Sequence, residues 1–321
     1  MTDRITSAFG LRSTACEVAA GHDLSGRAVI VTGGASGIGV ETARALAEAG
    51  ADVTLAVRNA EAGAATKAEI EKTAPGRVSV GHLDLADLST VAAFASAWGD
   101  KPLGILINNA GVMACPLTYT AQDLEMQIGA NHFGHYLLTL GLARALMNGA
   151  EEGRAARVVS LSSIGHRRGG VNFDDIHYRN RPYDKWESYG QAKTANSLFA
   201  VGFHARFADL GVTANAVMPG GIRTPLQRHL PVEEMIAFGW IDAEGNVNPR
   251  FKSTEQGAST SVWAALAPEL EGVGGLYLEN CAQAEPWTEA SPFDGVLPHA
   301  LDPEGAERLW AVSEETTGAR V

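Results

Sequence analysis

The stretch Ala28-Val29-Ile30-Val31-Thr32-Gly33-Gly34-Ala35-Ser36-Gly37-Ile38-Gly39 decides the fold. An apolar, β-branched run favours a strand, and the glycines that follow let the chain turn tightly. An Ala/Leu-rich pattern over 39–49 then predicts a helix, and a second apolar run begins at Asp52. Glycines at 33, 37 and 39 would bring backbone N–H groups close to a pyrophosphate, and the helix N-terminus would add its partial positive charge. Strand, glycine turn, helix and second strand at this spacing are what a dinucleotide-binding unit requires.

The same rhythm continues along the chain. Apolar runs at 27–32, 52–57, 77–81, 104–108, 157–161, 212–218 and, shorter, 275–278 predict strands, with helical patterns such as 124–147 between them. The runs are nearly continuous rather than alternating, as in parallel strands covered on both faces. Their order predicts an α/β fold, a Rossmann-type doubly wound parallel sheet in a single domain with right-handed crossovers. The expected boundaries are an N-terminal extension at 1–24, a dinucleotide-binding catalytic domain at 25–278, and a C-terminal extension at 279–321 packed on or near the substrate pocket. A third irregular segment, 164–185, leaves the carboxyl end of the fifth run, where ligands sit in such sheets.

The chain has 321 residues, 45% of them hydrophobic and 19% charged, so a buried core is expected and disorder is not. Lys and Arg number 25 against 37 Asp and Glu, a net charge of −12. That balance argues against a nucleic-acid partner and against attraction to an anionic membrane. No apolar stretch reaches the roughly 18–20 residues of a membrane helix, and the first residues lack the apolar run of a signal peptide. Cys16, Cys115 and Cys281 form no CxxC pair and no disulfide framework, so reduced thiols in a cytoplasmic protein are expected. The histidines show no metal-ligand spacing, and no metal is expected. His132 and His135 read as structural, and His166-Arg167-Arg168 as a solvated basic run.

Motifs fall in order after the glycine turn, which itself reads Gly-x3-Gly-x-Gly behind Thr32. Asn108-Asn109-Ala110-Gly111 ends the fourth run, and Asn131 sits in Asn131-His132-Phe133-Gly134-His135. Ser162-Ser163 closes the fifth run, Tyr189-Gly190-Gln191-Ala192-Lys193 is Tyr-x3-Lys, and Pro219-Gly220-Gly221-Ile222-Arg223-Thr224 follows the sixth. This ordered set, over residues 27–278, resembles the short-chain dehydrogenase/reductase family. Phe9-Gly10-Leu11-Arg12-Ser13-Thr14, Leu55-Ala56-Val57-Arg58 and Ser162-Ser163-Ile164-Gly165-His166 are similar to the subgroup that contains retinol dehydrogenases, WW-domain oxidoreductase and many bacterial reductases.

The resemblance implies a nicotinamide cofactor. Gly33, Ser36, Gly37, Ile38 and Gly39 would cradle its phosphates, Asp84 and Leu85 its adenine, and Asn109, Ala110 and Gly111 its middle. Pro219, Gly220, Ile222 and Thr224 would support the carboxamide. A free ribose 2′-hydroxyl is usually met by an acid ending the second strand. Here that end reads Ala56-Val57-Arg58-Asn59. Arg58 can pair with a 2′-phosphate and stack on adenine, so NADP(H) is the expected cofactor.

Tyr189 and Lys193 lie four residues apart in a helical pattern and share one face. A phenol titrates near pH 10, and a nearby ammonium stabilises the phenolate. Tyr189 is therefore the candidate general acid/base of an alcohol–carbonyl interconversion. A hydroxyl must steady the reacting oxygen; the resemblance favours Ser163, with Ser162 in reserve. It also gives Asn131, expected in mid-helix, a water-mediated proton path to Lys193, and has Lys193 hold the nicotinamide ribose. The segment 225–249 would form a lid whose Met235, Ile236, Phe238 and Trp240 suggest an apolar alcohol or carbonyl substrate. Family members commonly pair through the helices carrying Asn131 and Tyr189, so a homo-oligomer is possible. The other readings are a cofactor-binding sensor without turnover, and an epimerase or dehydratase using the same Tyr and Lys.

Overall fold

The computed structural model describes residues 4–320, so residues 1–3 of the N-terminal extension and residue 321 lie outside the described residues. The strands are β1 (Ala28–Thr32), β2 (Asp52–Val57), β3 (Val78–His82), β4 (Ile105–Asn108), β5 (Ala156–Leu161), β6 (Val212–Met218), β7 (Tyr277–Glu279) and β8 (Ala282–Gln283). They form one sheet in the order β3-β2-β1-β4-β5-β6-β7-β8, parallel except for the last pair. The order reverses between β1 and β4, which opens a crevice at the carboxyl ends of those strands.

The helices are α1 (Ala15–Ala19), α2 (Ile38–Glu48), α3 (Ala60–Ile70), α4 (Leu88–Trp98), α5 (Met126–Ile128), α6 (Gly134–Gly141), α7 (Ala143–Asn148), α8 (Lys185–Phe207), α9 (Val232–Ala237), α10 (Thr254–Leu266) and α11 (Pro303–Thr317). On one face α1, α2 and α10 bury Val18, Leu46 and Trp263 with Val29, Val31 and Leu55. On the other, Tyr136, Leu146, Phe199 and Phe203 pack with Ile30, Leu106 and Val158. Every residue of β4, β5 and β6 is buried, which is why those segments read as nearly continuous apolar runs.

Three elements depart from the expectation. The helix expected over 124–147 is interrupted: a π-helical segment, Gly129–Phe133, separates α5 from α6, and Asn131 lies in it rather than in mid-helix. Its widened turn is held by a bond from the Gly134 N–H to the Gly129 carbonyl and by the His135 ring on the Asn131 carbonyl. The seventh strand sits later, at Tyr277–Glu279, and the two-residue antiparallel β8 was not foreseen, since two residues leave no periodicity to read.

The terminal extensions are built into the molecule. Thr14 and Glu17 cap α1 reciprocally, and the Gln283 N–H donates to the Ile5 carbonyl at 2.8 Å, tying residue 5 to β8. After β8 the chain runs past the cavity mouth at Phe293 and Asp294, and α11 then lies against α8 with Trp310 stacked on Phe199. Cys16, Cys115 and Cys281 are all free thiols. No described helix is long and apolar enough to cross a membrane.

Candidate active site

The carboxyl ends of β1, β2, β4, β5 and β6 open onto one cavity of about 740 Å³. At its β1 end Gly33 and Gly37 adopt positive φ, 65° and 55°. A Cβ at Gly33 would stand 3.0 Å from the Ala110 Cα, so the turn lies directly on the Asn109–Gly111 loop. Gly37 starts α2 with no side-chain cap, which leaves the first amides of the helix free for an anion. Gly39 does not line the cavity. It lies beneath the turn, where a Cβ would meet the Gly33 carbonyl oxygen at 2.5 Å.

Thr32 organises the junction with β4. Its hydroxyl accepts from the N–H groups of Asn109 and Ala110, both at 2.9 Å, and the Asn109 Nδ2 donates to the Thr32 carbonyl at 2.8 Å. The Asn109 Oδ1 is buried and has no partner, an acceptor that a bound ligand would satisfy. At the end of β2, Arg58 is exposed, lines the cavity and makes no ion pair among the described residues. Asp84 also lines the cavity and accepts from the Ala86 N–H at 3.0 Å, while the cap of α4 is Asp87.

Tyr189 and Lys193 project from the first turns of α8, which Asp184 caps by accepting from the Trp186 and Glu187 N–H groups. Both side chains are buried yet reach the cavity, and the Lys193 Nζ sits 5.6 Å from the Tyr189 ring centre. It donates to the Leu161 carbonyl at 2.9 Å. Burial pushes the phenol up to about 12, and the nearby Ser163 hydroxyl, which accepts from the Gly165 N–H at 3.0 Å, works against that rise. Burial also brings the Lys193 ammonium down to about 8. The serine pair divides cleanly. Ser162 donates to the Lys193 carbonyl at 2.8 Å and accepts from Ser197, so it braces α8, and Ser163 is the one left facing Tyr189.

Gly165 is required here, because a Cβ would stand 2.8 Å from the Tyr189 ring. Asn131 lies behind the cavity wall, its amide engaged by both the N–H and the carbonyl of Val112 at 2.8 and 2.9 Å. His135 bridges the Asn131 carbonyl and the Thr32 hydroxyl, both at 2.9 Å, so the π-helical segment and the phosphate turn share one buried brace. On the opposite rim Thr224 approaches Gly37, and Gln227 holds the Ile222 carbonyl at 2.8 Å.

The family described as short chain dehydrogenase matches residues 27–234. The chain belongs to the short-chain dehydrogenase/reductase family. It is an oxidoreductase of that family, 46% identical over 301 residues to a "Probable oxidoreductase" of Streptomyces lividans, covering 92% of this chain and 99% of that one. It is also 40% identical to retinol dehydrogenase 12 of Mus musculus, over 92% of this chain and 87% of that one. A solved structure of an uncharacterised Mycobacterium paratuberculosis protein superposes with a TM-score of 0.71 at 31% identity, covering 96% and 98% of the two chains.

The basic run at 166–168 is a short helical turn, solvated at the exposed Arg168 but not at His166. His166 is fully buried. Its Nδ1 faces the Ser163 carbonyl at 2.8 Å, its Nε2 accepts from the Leu297 N–H at 3.1 Å, and its carbonyl receives His299. Arg167 stacks on Trp287 and Arg168 on Trp186. In the lid, Phe238 and Trp240 line the cavity, whereas Met235 packs against Met113 and Tyr189. The sequence did not mark Leu11, Arg12, Lys252, Asn280 and Phe293 as cavity residues. The one available signal was the Phe9–Thr14 motif, singled out without a role.

Proposed function

We propose that this oxidoreductase is NADP(H)-dependent and interconverts an alcohol and a carbonyl, with an apolar substrate. The observation that carries the reading is the convergence of the Tyr189 hydroxyl, the Ser163 hydroxyl and the Lys193 ammonium at one end of a cavity whose other end is a glycine turn on an uncapped helix. Gly33, Ser36, Gly37 and Ile38 would hold the diphosphate, Asp84 and Leu85 the adenine, and Asn109 to Gly111 the centre of the cofactor. Pro219, Gly220, Ile222 and Thr224 would hold the carboxamide, and Lys193 the nicotinamide ribose. The bound nicotinamide supplies or accepts the hydride at the substrate's C–O carbon.

In reduction, Tyr189 gives its proton to the carbonyl oxygen as hydride addition to the carbon leaves charge there, so that hydride and proton together convert C=O to CH–OH. A phenol kept protonated by burial is suited to this donation. Ser163 donates a hydrogen bond to the same oxygen. Lys193, fixed on Leu161, stabilises the phenolate left on Tyr189. The Asn131 side chain is engaged by Val112, so its share of a water-mediated proton path to Lys193 falls to its carbonyl.

The test is NADPH absorbance during incubation with a panel of apolar aldehydes and ketones. Carbonyl-dependent loss of the reduced band supports the reading. NADPH binding with no turnover across the panel favours the sensor, and no binding of either nicotinamide coenzyme overturns the account at its first step.

Arg58 carries the coenzyme preference. A guanidinium–phosphate pair contributes about 1.5–3 kcal/mol. Arg58→Asp is therefore expected to shift the ratio of kcat/KM values from NADPH toward NADH by about 10–100-fold. An unchanged ratio would sink this assignment.

A further inference from the structure

Beside the loop that leaves β6, the cavity holds a cation that the proposed chemistry does not use. Lys252 returns from the lid along residues 220–222: its N–H donates to the Gly221 carbonyl at 2.8 Å, and it bridges to Ile222. Its side chain crosses Gly220, where a Cβ would stand 3.0 Å from the lysine Cε. Lys252 is only 5% exposed, yet it lines the cavity. Its Nζ donates to the Asn280 Oδ1 at 2.9 Å and makes no ion pair among the described residues. An ammonium has three donors, and one buried with a single neutral acceptor is incompletely satisfied. Burial accordingly brings it down to about 8.

The surroundings hold that ammonium in place. Asn280 adopts a left-handed backbone, φ 49°, a conformation that costs a non-glycine residue roughly 1 kcal/mol or more. Its Nδ2 donates to the Asp294 Oδ1 at 3.1 Å, which turns its Oδ1 toward Lys252. Upstream, Arg12 donates to the carbonyls of Pro249 and Phe251 at 2.7 and 2.9 Å and fixes the segment that delivers Lys252. Phe238, Trp240, Phe251 and Phe293 make the neighbouring cavity wall aromatic. Asp294, Glu279 and Arg12 are the charged groups around the ammonium. None of them is its hydrogen-bond partner.

We propose that Lys252, oriented by Asn280, determines substrate specificity by receiving a second oxygen-bearing group of the substrate, a carboxylate or carbonyl remote from the C–O group that reacts. The inference rests on the alcohol–carbonyl reading above and adds the substrate class.

The experiment compares a series of straight-chain ω-oxo acids and their methyl esters with the n-alkanals of equal length, reduced with NADPH. At one chain length the wild type is expected to prefer the acid or the ester over the alkanal by at least about tenfold in kcat/KM, as one charged hydrogen bond allows. Preference for the acid alone assigns a carboxylate, and preference for acid and ester alike assigns a carbonyl. Lys252→Met is expected to abolish the preference. Asn280→Asp, which hands Lys252 an internal carboxylate at the cost of the bond to Asp294, is expected to weaken it several-fold. A wild type with no preference at any length overturns the proposal, as does a preference that survives Lys252→Met in a protein that melts like wild type.

Should the wild type turn over neither these compounds nor any member of the apolar aldehyde and ketone panel, the alcohol–carbonyl reading fails. Calorimetric titration of the ω-hydroxy acids into the NADP⁺ complex then decides the subsite by itself. Binding that Lys252→Met weakens about tenfold retains it, and equal binding by both proteins, or none, removes it.

Discussion

Tyr189→Phe lowers the turnover of every carbonyl substrate by about 10²–10⁴-fold, the range that a positioned proton donor contributes. The substitution removes one hydroxyl and leaves the ring against Gly165 and Trp186 in place. Among the described residues the hydroxyl removed holds no other element of the fold in place, so the variant folds and still binds NADPH. The loss then falls in kcat, because the missing interaction is made as the substrate oxygen gains charge. Lys193→Met acts through the same phenol and is expected to add little in the double variant, since the two side chains work as a unit. A Tyr189→Phe enzyme within tenfold of wild-type turnover would show that the proton comes from elsewhere.

Acid is expected to weaken this protein as pH falls from 7 toward 5, through its buried histidines. His132, His135 and His166 are buried, and desolvation holds their pKa values at about 3, about 4 and about 4, below the ordinary value near 6.5. In the native state their rings remain neutral: His132 bonds the Ser313 hydroxyl at 2.8 Å, His135 bridges Asn131 and Thr32, and His166 bridges Ser163 and Leu297. The unfolded chain takes up protons on these imidazoles as pH falls through about 6.5, whereas the native state does not. Stability is therefore present above that pH and is lost as pH drops toward 4. Between pH 7 and pH 5 each ring costs about 2 kcal/mol and the three together about 6 kcal/mol, of which Glu279, whose carboxyl burial raises to about 7, offsets about 2 by taking up a proton in the native state. Urea unfolding at the two pH values measures it. A midpoint that hardly moves would mean that the rings gain partners on protonation that the native contacts do not provide.

The sequence was most legible where burial alone decides the outcome. β2 and β6 appear at 52–57 and 212–218 as expected, because parallel strands covered on both faces are predominantly apolar. Tyr189, Lys193 and the Ser162–Ser163 pair were legible as ordered motifs. Which serine faces Tyr189 was not, since that depends on Ser197 and the Lys193 carbonyl from another element. The interruption at 129–133 was hidden for a similar reason. Gly129-Ala130-Asn131-His132-Phe133 fits a helical pattern, and the wider turn is fixed by His135 and by Val112 across the chain. His166 reads as one of three basic residues until Leu297 and His299 are brought to it from the far end of the sequence. Lys252 and Asn280 likewise acquire meaning only when the lid and the turn after β7 meet.

The most direct test of the central claim is isotopic: NADPH carrying deuterium at both hydrogens of nicotinamide C4 is incubated with the enzyme and a carbonyl substrate, and the alcohol is analysed by mass spectrometry. The account predicts one deuterium on the carbinol carbon of the product, matched by NADP⁺ formed, with labelled product appearing about 10²–10⁴-fold more slowly when Tyr189 is phenylalanine. A substrate that is transformed while the label stays on the coenzyme would contradict hydride transfer to substrate as the net reaction and assign the Tyr189–Lys193 pair to epimerisation or dehydration instead.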